Sequence, residues 1–227
     1  MFRRIICVAL CIFTCVVALS ACGTKGSSVP SEYISGCTVL LNEKYGYEFD
    51  VDKSQTSVSD GVMSAVVTPK YSFDIPCTVT YDVENEKLLG DTFSDVVAGK
   101  SFMNIFSAPM SHVHLDGSVL CYAKTDNQKS YSDYSSSIDY INDTNAVCSA
   151  YIILRQGQLD ELGEEKLKQN LDYVFNLVSN DISVDFDVYV LLSDADDLDK
   201  ARNELCISIC KGEALPDWFY TKHFDRK

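Results

Sequence analysis

The stretch Ile182-Ser183-Val184-Asp185-Phe186-Asp187-Val188-Tyr189-Val190-Leu191-Leu192 decides the fold class. Ile182, Val184, Phe186, Val188, Val190 and Leu192 take every second position, against Ser183, Asp185, Asp187 and Tyr189. Successive side chains of a strand point to opposite faces, so the alternation sets an apolar row on a core and a polar row toward water. Strands of a doubly wound parallel sheet are covered on both sides and read as unbroken apolar runs. The expected class is therefore α+β: antiparallel sheet, or sheets, with amphipathic helices packed on one face.

The neighbouring residues extend this reading. Upstream, Leu167, Leu171, Val174, Phe175 and Val178 recur at helical spacing, with Glu164 four residues before Lys168, which predicts a helix from Asp160 to Ser179. Strands are expected at Val119 to Ala123 and Val147 to Leu154, and a helix with the stripe Leu198, Ala201, Leu205, Ile209 from Ala195 to Lys211. In the first half, Tyr33, Ile34, Cys37, Leu40, Leu41 and Tyr45 predict a helix over Ser31 to Tyr45 that Gly46 closes. Strands follow at Tyr47 to Val51, Val62 to Thr68 (after the turn signal Asp60-Gly61) and Cys77 to Val83. Asp91 then caps a second helix carrying Phe93, Val96, Val97, Met103 and Phe106, bounded by Pro109. Between Lys124 and Asn145 the chain is rich in Ser, Asp, Tyr and Asn and is expected to be a mobile loop.

At the N-terminus, Arg3 and Arg4 precede the apolar run Ile5 to Leu19. Fifteen helical residues span roughly 22 Å, short of the ~30 Å of a bilayer's hydrocarbon core, so the run reads as a secretory signal. Leu19-Ser20-Ala21-Cys22 resembles the lipobox of bacterial lipoproteins. The resemblance implies cleavage before Cys22 and a lipid on its thiol, with two acyl chains holding the protein stably to a membrane. Gly23 to Pro30 reads as a flexible tether. The expected division is 1–21 signal, 22–30 tether, 31–116 a lobe of helix, three strands and second helix, and 117–227 an α+β lobe, the two lobes being either separate or one continuous domain. Leu41-Asn42-Glu43-Lys44-Tyr45-Gly46-Tyr47-Glu48-Phe49 and the strand from Cys77 are similar in outline to PepSY-like and cystatin-like modules of secreted bacterial proteins, and to small Gram-positive lipoproteins of unknown role. That outline carries no functional residues over.

Charge limits the partners. Beyond residue 21 the chain holds 17 basic and 33 acidic residues, a net charge of −16, which opposes nucleic acid and anionic lipid surfaces. Six cysteines lie beyond Cys22: Cys37, Cys77, Cys121, Cys148, Cys206 and Cys210. They allow several disulfide pairings or buried free thiols, and their spacing is not that of a zinc site.

Catalytic patterns are missing. His112 and His114 form the one imidazole cluster, and half-exposed histidines at a strand start are the expected reading. Asp194, Asp196, Asp197 and Asp199 fit the first turn of a helix better than a calcium loop, which would need a glycine and a further oxygen ligand. Cys206 and Cys210 stand one helical turn apart, as core packing. No metal, cofactor or catalytic set is assigned. Tyr131, Tyr134 and Tyr140 in the polar stretch, and Trp218 near the end, are the candidate ligand-binding aromatics. The expected function is a non-catalytic, lipid-anchored binding or accessory module on the extracytoplasmic face of the membrane, its partner an envelope protein, peptide or glycan. A hydrolase of unfamiliar class is the alternative, and a deep pocket holding two close carboxylates would favour it.

Overall fold

The computed structural model describes residues 29–70, 74–125, 129–181 and 183–225; the signal segment and Cys22 lie outside these. Helix α1 (Ser31–Tyr45) stops as expected, with Gly46 at φ 71° and its N–H bonded to the Asn42 carbonyl. Its buried residues, Cys37, Leu41 and Tyr45, face an antiparallel meander of β1 (Phe49–Ser59), β2 (Val62–Pro69), β3 (Cys77–Asp82) and β4 (Lys87–Asp91). Asp60 and Gly61, at φ 51° and 75°, make the two-residue turn between β1 and β2. Register places Cys77 beside Val67, Val79 beside Ala65 and Tyr81 beside Met63, all buried. Gly36 matters here: a Cβ on it would stand 2.5 Å from the Tyr81 hydroxyl. The glycine weakens the helix by about 1 kcal/mol but lets it approach the sheet.

Two helices replace the single one expected after β4. α2 (Phe93–Lys100) and α3 (Met103–His112) are separated at Ser101 and Phe102, and Pro109 lies inside α3 instead of ending it. Burial of Phe106 and Met110 on either side holds this turn helical despite the N–H that proline lacks.

The second sheet has the order β5 (Gly117–Lys124), β6 (Val147–Arg155), β7 (Phe186–Ser193), β8 (Tyr220–Phe224). The sheet is mostly antiparallel: its outer pairs are antiparallel, while β6 and β7 run parallel. The reason is the connection: α5 (Gln156–Leu162) and α6 (Glu164–Asp181) carry the chain back to the end where β6 began. Gly163, at φ 75°, divides what the sequence presents as one helix. The fold is α+β, with two mostly antiparallel sheets.

Helices do not lie on one face of this second sheet only. Cys121, Ala150 and Val188 join a core with α2, α3 and α6, while Leu120, Tyr122, Tyr151 and Ile153 on the reverse face belong to the core of the first sheet. Between the sheets lies α7 (Leu198–Lys211), burying Leu198, Leu205 and Cys206. Strand β7 keeps its alternating pattern because Asp187, Tyr189 and Leu191 stay half-buried at the rim, whereas Ser118 to Ala123 in β5 are buried throughout. The halves expected at 31–116 and 117–227 interleave: α3, from the first, packs Phe106 and Met110 on the second sheet, and α7, from the second, packs on the first.

Candidate binding cleft

Within the polar stretch, the described residues 129–145 are folded and do not form a mobile loop. Tyr131–Asp133 make a short 3-10 turn and Ser137–Thr144 form the fourth helix of the described chain, α4, which packs on α2 and is here called αL. Ser136 caps it by accepting from the Asp139 N–H at 3.1 Å, and Asn145, at φ 53°, ends it. Ser137, Tyr140, Ile141 and Thr144 are buried at helical spacing. Tyr140, expected as an exposed ligand contact, is fully buried, so that assignment is corrected: its hydroxyl donates to Asp95 at 3.0 Å. Tyr131 and Tyr134 are half-buried and set their rings edge-on to Tyr140 at 5.7 and 5.3 Å. The three tyrosines fasten αL to α2 rather than offering an open aromatic surface.

What this segment does build is one wall of a cleft. Where αL ends, Ile141, Asn142 and Asn145 face the first residues of β7, and with Val147, Asp187 and His223 they line an open concavity of about 650 Å³. Register explains its polar edge: Asp187 and His223 are direct partners across β7 and β8, and Nδ1 of His223 lies 2.8 Å from the Asp187 carboxylate. That bond raises the imidazole above its ordinary pKa, and the charges of Asp187 and Asp225 add to the effect. Val147 is 60% exposed at the rim. Cys148 also lines the cleft, but burial pushes its thiol up to about 12, which leaves it protonated and unreactive. The cleft thus offers amides, carboxylates and an imidazole above a partly apolar floor, suited to a ligand rich in hydroxyl or amino donors.

A second concavity, of about 140 Å³, is lined by Lys44, Tyr45, Asp91, Ser94, Asp95 and Tyr140 among others. Asp91, at the end of β4, and Asp95, in the first turn of α2, both line it, the two carboxylates that would favour a hydrolase. Their lone pairs are engaged by the protein itself. Asp91 accepts from Lys44 and Tyr45 at 2.9 and 2.7 Å, and Asp95 from Tyr140 at 3.0 Å and Tyr122 at 3.4 Å. Asp95 is therefore the polar hub joining α2, β5 and αL. Burial raises its pKa from 3.8 to about 7, against the lowering effect of its hydrogen bonds.

The folded state holds a proton that the unfolded chain has released, so Asp95 makes stability fall as pH rises from 3.8 through about 7. Asp95→Asn is expected to flatten that dependence. Thermal melts of parent and variant at pH 5 and 7.5 provide the check, and equal slopes in both would exclude this carboxyl as the source.

The remaining singled-out residues lie outside both concavities. Asp197 caps α7, accepting from the N–H groups of Asp199 and Lys200, both at 3.0 Å. His112 and His114 are exposed at the end of α3 rather than on a strand, with His114 at φ 55°. Trp218 is half-buried and lies 5.0 Å from Tyr189 and 5.8 Å from Tyr151, covering the rim of the second sheet. Among the described residues, no group of three His, Cys, Asp or Glu is placed to hold a metal, and no helix is long and apolar enough to cross a membrane. Comparison with known protein families, with characterised proteins and with solved structures finds no match.

Proposed function

We propose that the chain is a bacterial lipoprotein whose body is a non-catalytic binding module for an envelope peptide or glycan. The observation that carries this reading is the open cleft walled by αL, β6, β7 and β8, which combines recognition groups with an unreactive thiol. The paired carboxylates that would favour a hydrolase are occupied by internal donors. The lipobox-like ending at Cys22 supports anchoring, and a net charge of −16 beyond residue 21 supports a body held away from an anionic surface.

The test joins anchor and cleft. Cys22→Ser is expected to abolish incorporation of labelled fatty acid, and equal labelling would reject the anchor. Val147→Arg fills the cleft from an exposed position, where substitutions usually shift stability by about 0.5 kcal/mol or less. Retention on purified cell-wall glycan, or on its isolated peptide fraction, should fall at least about tenfold, the equivalent of one lost contact of 1.4 kcal/mol. Unchanged retention would move the binding surface elsewhere.

A further inference from the structure

We propose that αL is held shut by a proton: the helix seats on α2 while the Asp95 carboxyl beneath it is protonated, and opens more often once that carboxyl ionises. The latch adds regulation to the binding role proposed above and rests on that role only for its consequence at the cleft.

αL is the partition between the two concavities. Tyr140 lines the small one beside Asp95, while Ile141, Asn142 and Asn145 line the large one, so loosening the helix removes a wall of the cleft. Of the three elements that meet at Asp95, αL is the one able to yield. α2 and β5 each contribute to both cores, and they pack so closely that a Cβ on Gly99 has no room. αL has eight residues, too few to hold a helix alone, and only Tyr140 and Ile141 of its buried stripe are apolar. Its polar ties are to α2: Tyr140 donates to Asp95 at 3.0 Å, and Ser101, at the end of α2, donates to Ser137 at 2.6 Å. The turn before it adds the Tyr131 N–H, which donates to Ser94 at 2.9 Å.

The groups around Asp95 favour its neutral form. Asp95 is 7% exposed, and the donors that bond it, the Tyr140 and Tyr122 hydroxyls and the Thr125 N–H, are uncharged. Burial raises both of these hydroxyls, and that of Tyr45, above the ordinary phenol range, so they stay neutral. The ammonium groups at the small concavity are taken up by other carboxylates: Lys44 of α1 by Asp91 of β4 at 2.9 Å, and Lys129, ahead of αL, by Asp143. Asp91 adds its own negative charge, and from α7 the Cys210 thiol reaches Tyr122 at 3.9 Å. Burial therefore sets the direction, and the seated carboxyl titrates at about 7 against an ordinary 3.8. Lifting Tyr140 admits water to the carboxyl and restores its ordinary acidity. The seated helix then holds a proton that the open one has released, so the open fraction rises by up to about tenfold per pH unit from 3.8 through about 7 and is level above.

Hydrogen exchange of the native protein, corrected for the intrinsic pH dependence of amide exchange, reads the latch directly. Protection of 138–145 is expected to lie below that of β6 and β7, and to fall about tenfold or more between pH 5.5 and 7.5. Asp95→Asn, which fixes a neutral group in place, should make it independent of pH. Tyr140→Phe removes a donor to the carboxylate and should carry the fall beyond pH 7.5, which decides the matter should Asp95→Asn fail to fold. Protection of 138–145 equal to that of β6 and β7 at pH 7.5, the parent's pH dependence persisting in Asp95→Asn, or an unmoved fall in Tyr140→Phe would each overturn the latch. Retention on purified cell-wall glycan is measured alongside; because His223 titrates in the cleft itself, parent and Asp95→Asn are compared at each pH, and the parent should lose retention relative to the variant as pH rises. Opening of αL that follows pH, with no retention at any pH, would support the latch and reject the cleft's binding role. Retention combined with pH-independent protection of αL would reject the latch alone.

Discussion

Gly99→Ala is expected to destabilise the protein by about 3 kcal/mol or more, the largest effect of any single methyl group here. A Cβ at Gly99 would lie 2.2 Å from the Cys121 carbonyl oxygen, 2.5 Å from its carbon and 2.7 Å from Cα of Tyr122. All three are backbone atoms of β5, in the middle of a sheet buried on both faces, so no side-chain rotation can relieve the clash. Either α2 lifts off the sheet, and Val96 and Ala98 leave the two cores they occupy, or β5 gives up its register with β6. The matched control is Gly157→Ala in α5, where nothing lies within 4 Å of the new methyl and a gain of about 0.5–1 kcal/mol is expected. Urea titrations of the pair decide the matter. A loss at position 99 no greater than at 157 would mean that α2 does not sit flat on β5.

The second large effect is at Phe186. Its ring is 1% exposed and meets Phe102 at 5.2 Å and Phe106 at 5.6 Å, both edge-on. Truncation to alanine leaves a void that α3 and β7 cannot close without losing their other contacts, a cost of about 3–5 kcal/mol. Leu171→Ala, on the buried stripe of α6, should cost about 2–5 kcal/mol. Asp185 is exposed, and its replacement by alanine should cost far less. If denaturant titration ranked Asp185 above Phe186, the register of β7 would be one residue out.

Phe186 and Leu171 were legible because strict periods of two and 3.6 leave one face to choose. The same holds for α1, whose glycine stop is local chemistry. What was not legible depended on partners distant in the chain. The covered second face of β5 and β6 comes from α7, some eighty residues beyond Leu120, and the parallel pairing of β6 and β7 from a crossover that periodicity does not specify. The helix at 137–144 did carry a signal, Ser136 with Asp139 three residues on and Asn145 as the stop. It was obscured because only Tyr140 and Ile141 on its buried stripe are apolar, while Ser137 and Thr144 are small and polar. The cleft was hidden for a related reason: Asn145, Val147, Asp187 and His223 meet only after the second sheet has formed. The small pocket, too, gave no hint of itself, since Asp95 becomes unusual only through burial beneath other elements, which also bring Tyr122 and Tyr140 to its carboxylate.

The position of α7 between the sheets has a consequence for the order of assembly. A chain emerging from its N-terminus can form the first hairpins early, because β1 to β4 are joined by local turns. Their apolar side, with Cys77, Val79 and Tyr81, nevertheless shares its core with Leu198, Leu205 and Cys206, more than a hundred residues later. Until that segment arrives the nascent meander is sticky and incompletely sealed, a species open to aggregation and to capture by a chaperone. Half-by-half maturation is thereby disfavoured, since the core of the first sheet is complete only once the last helix has packed into it.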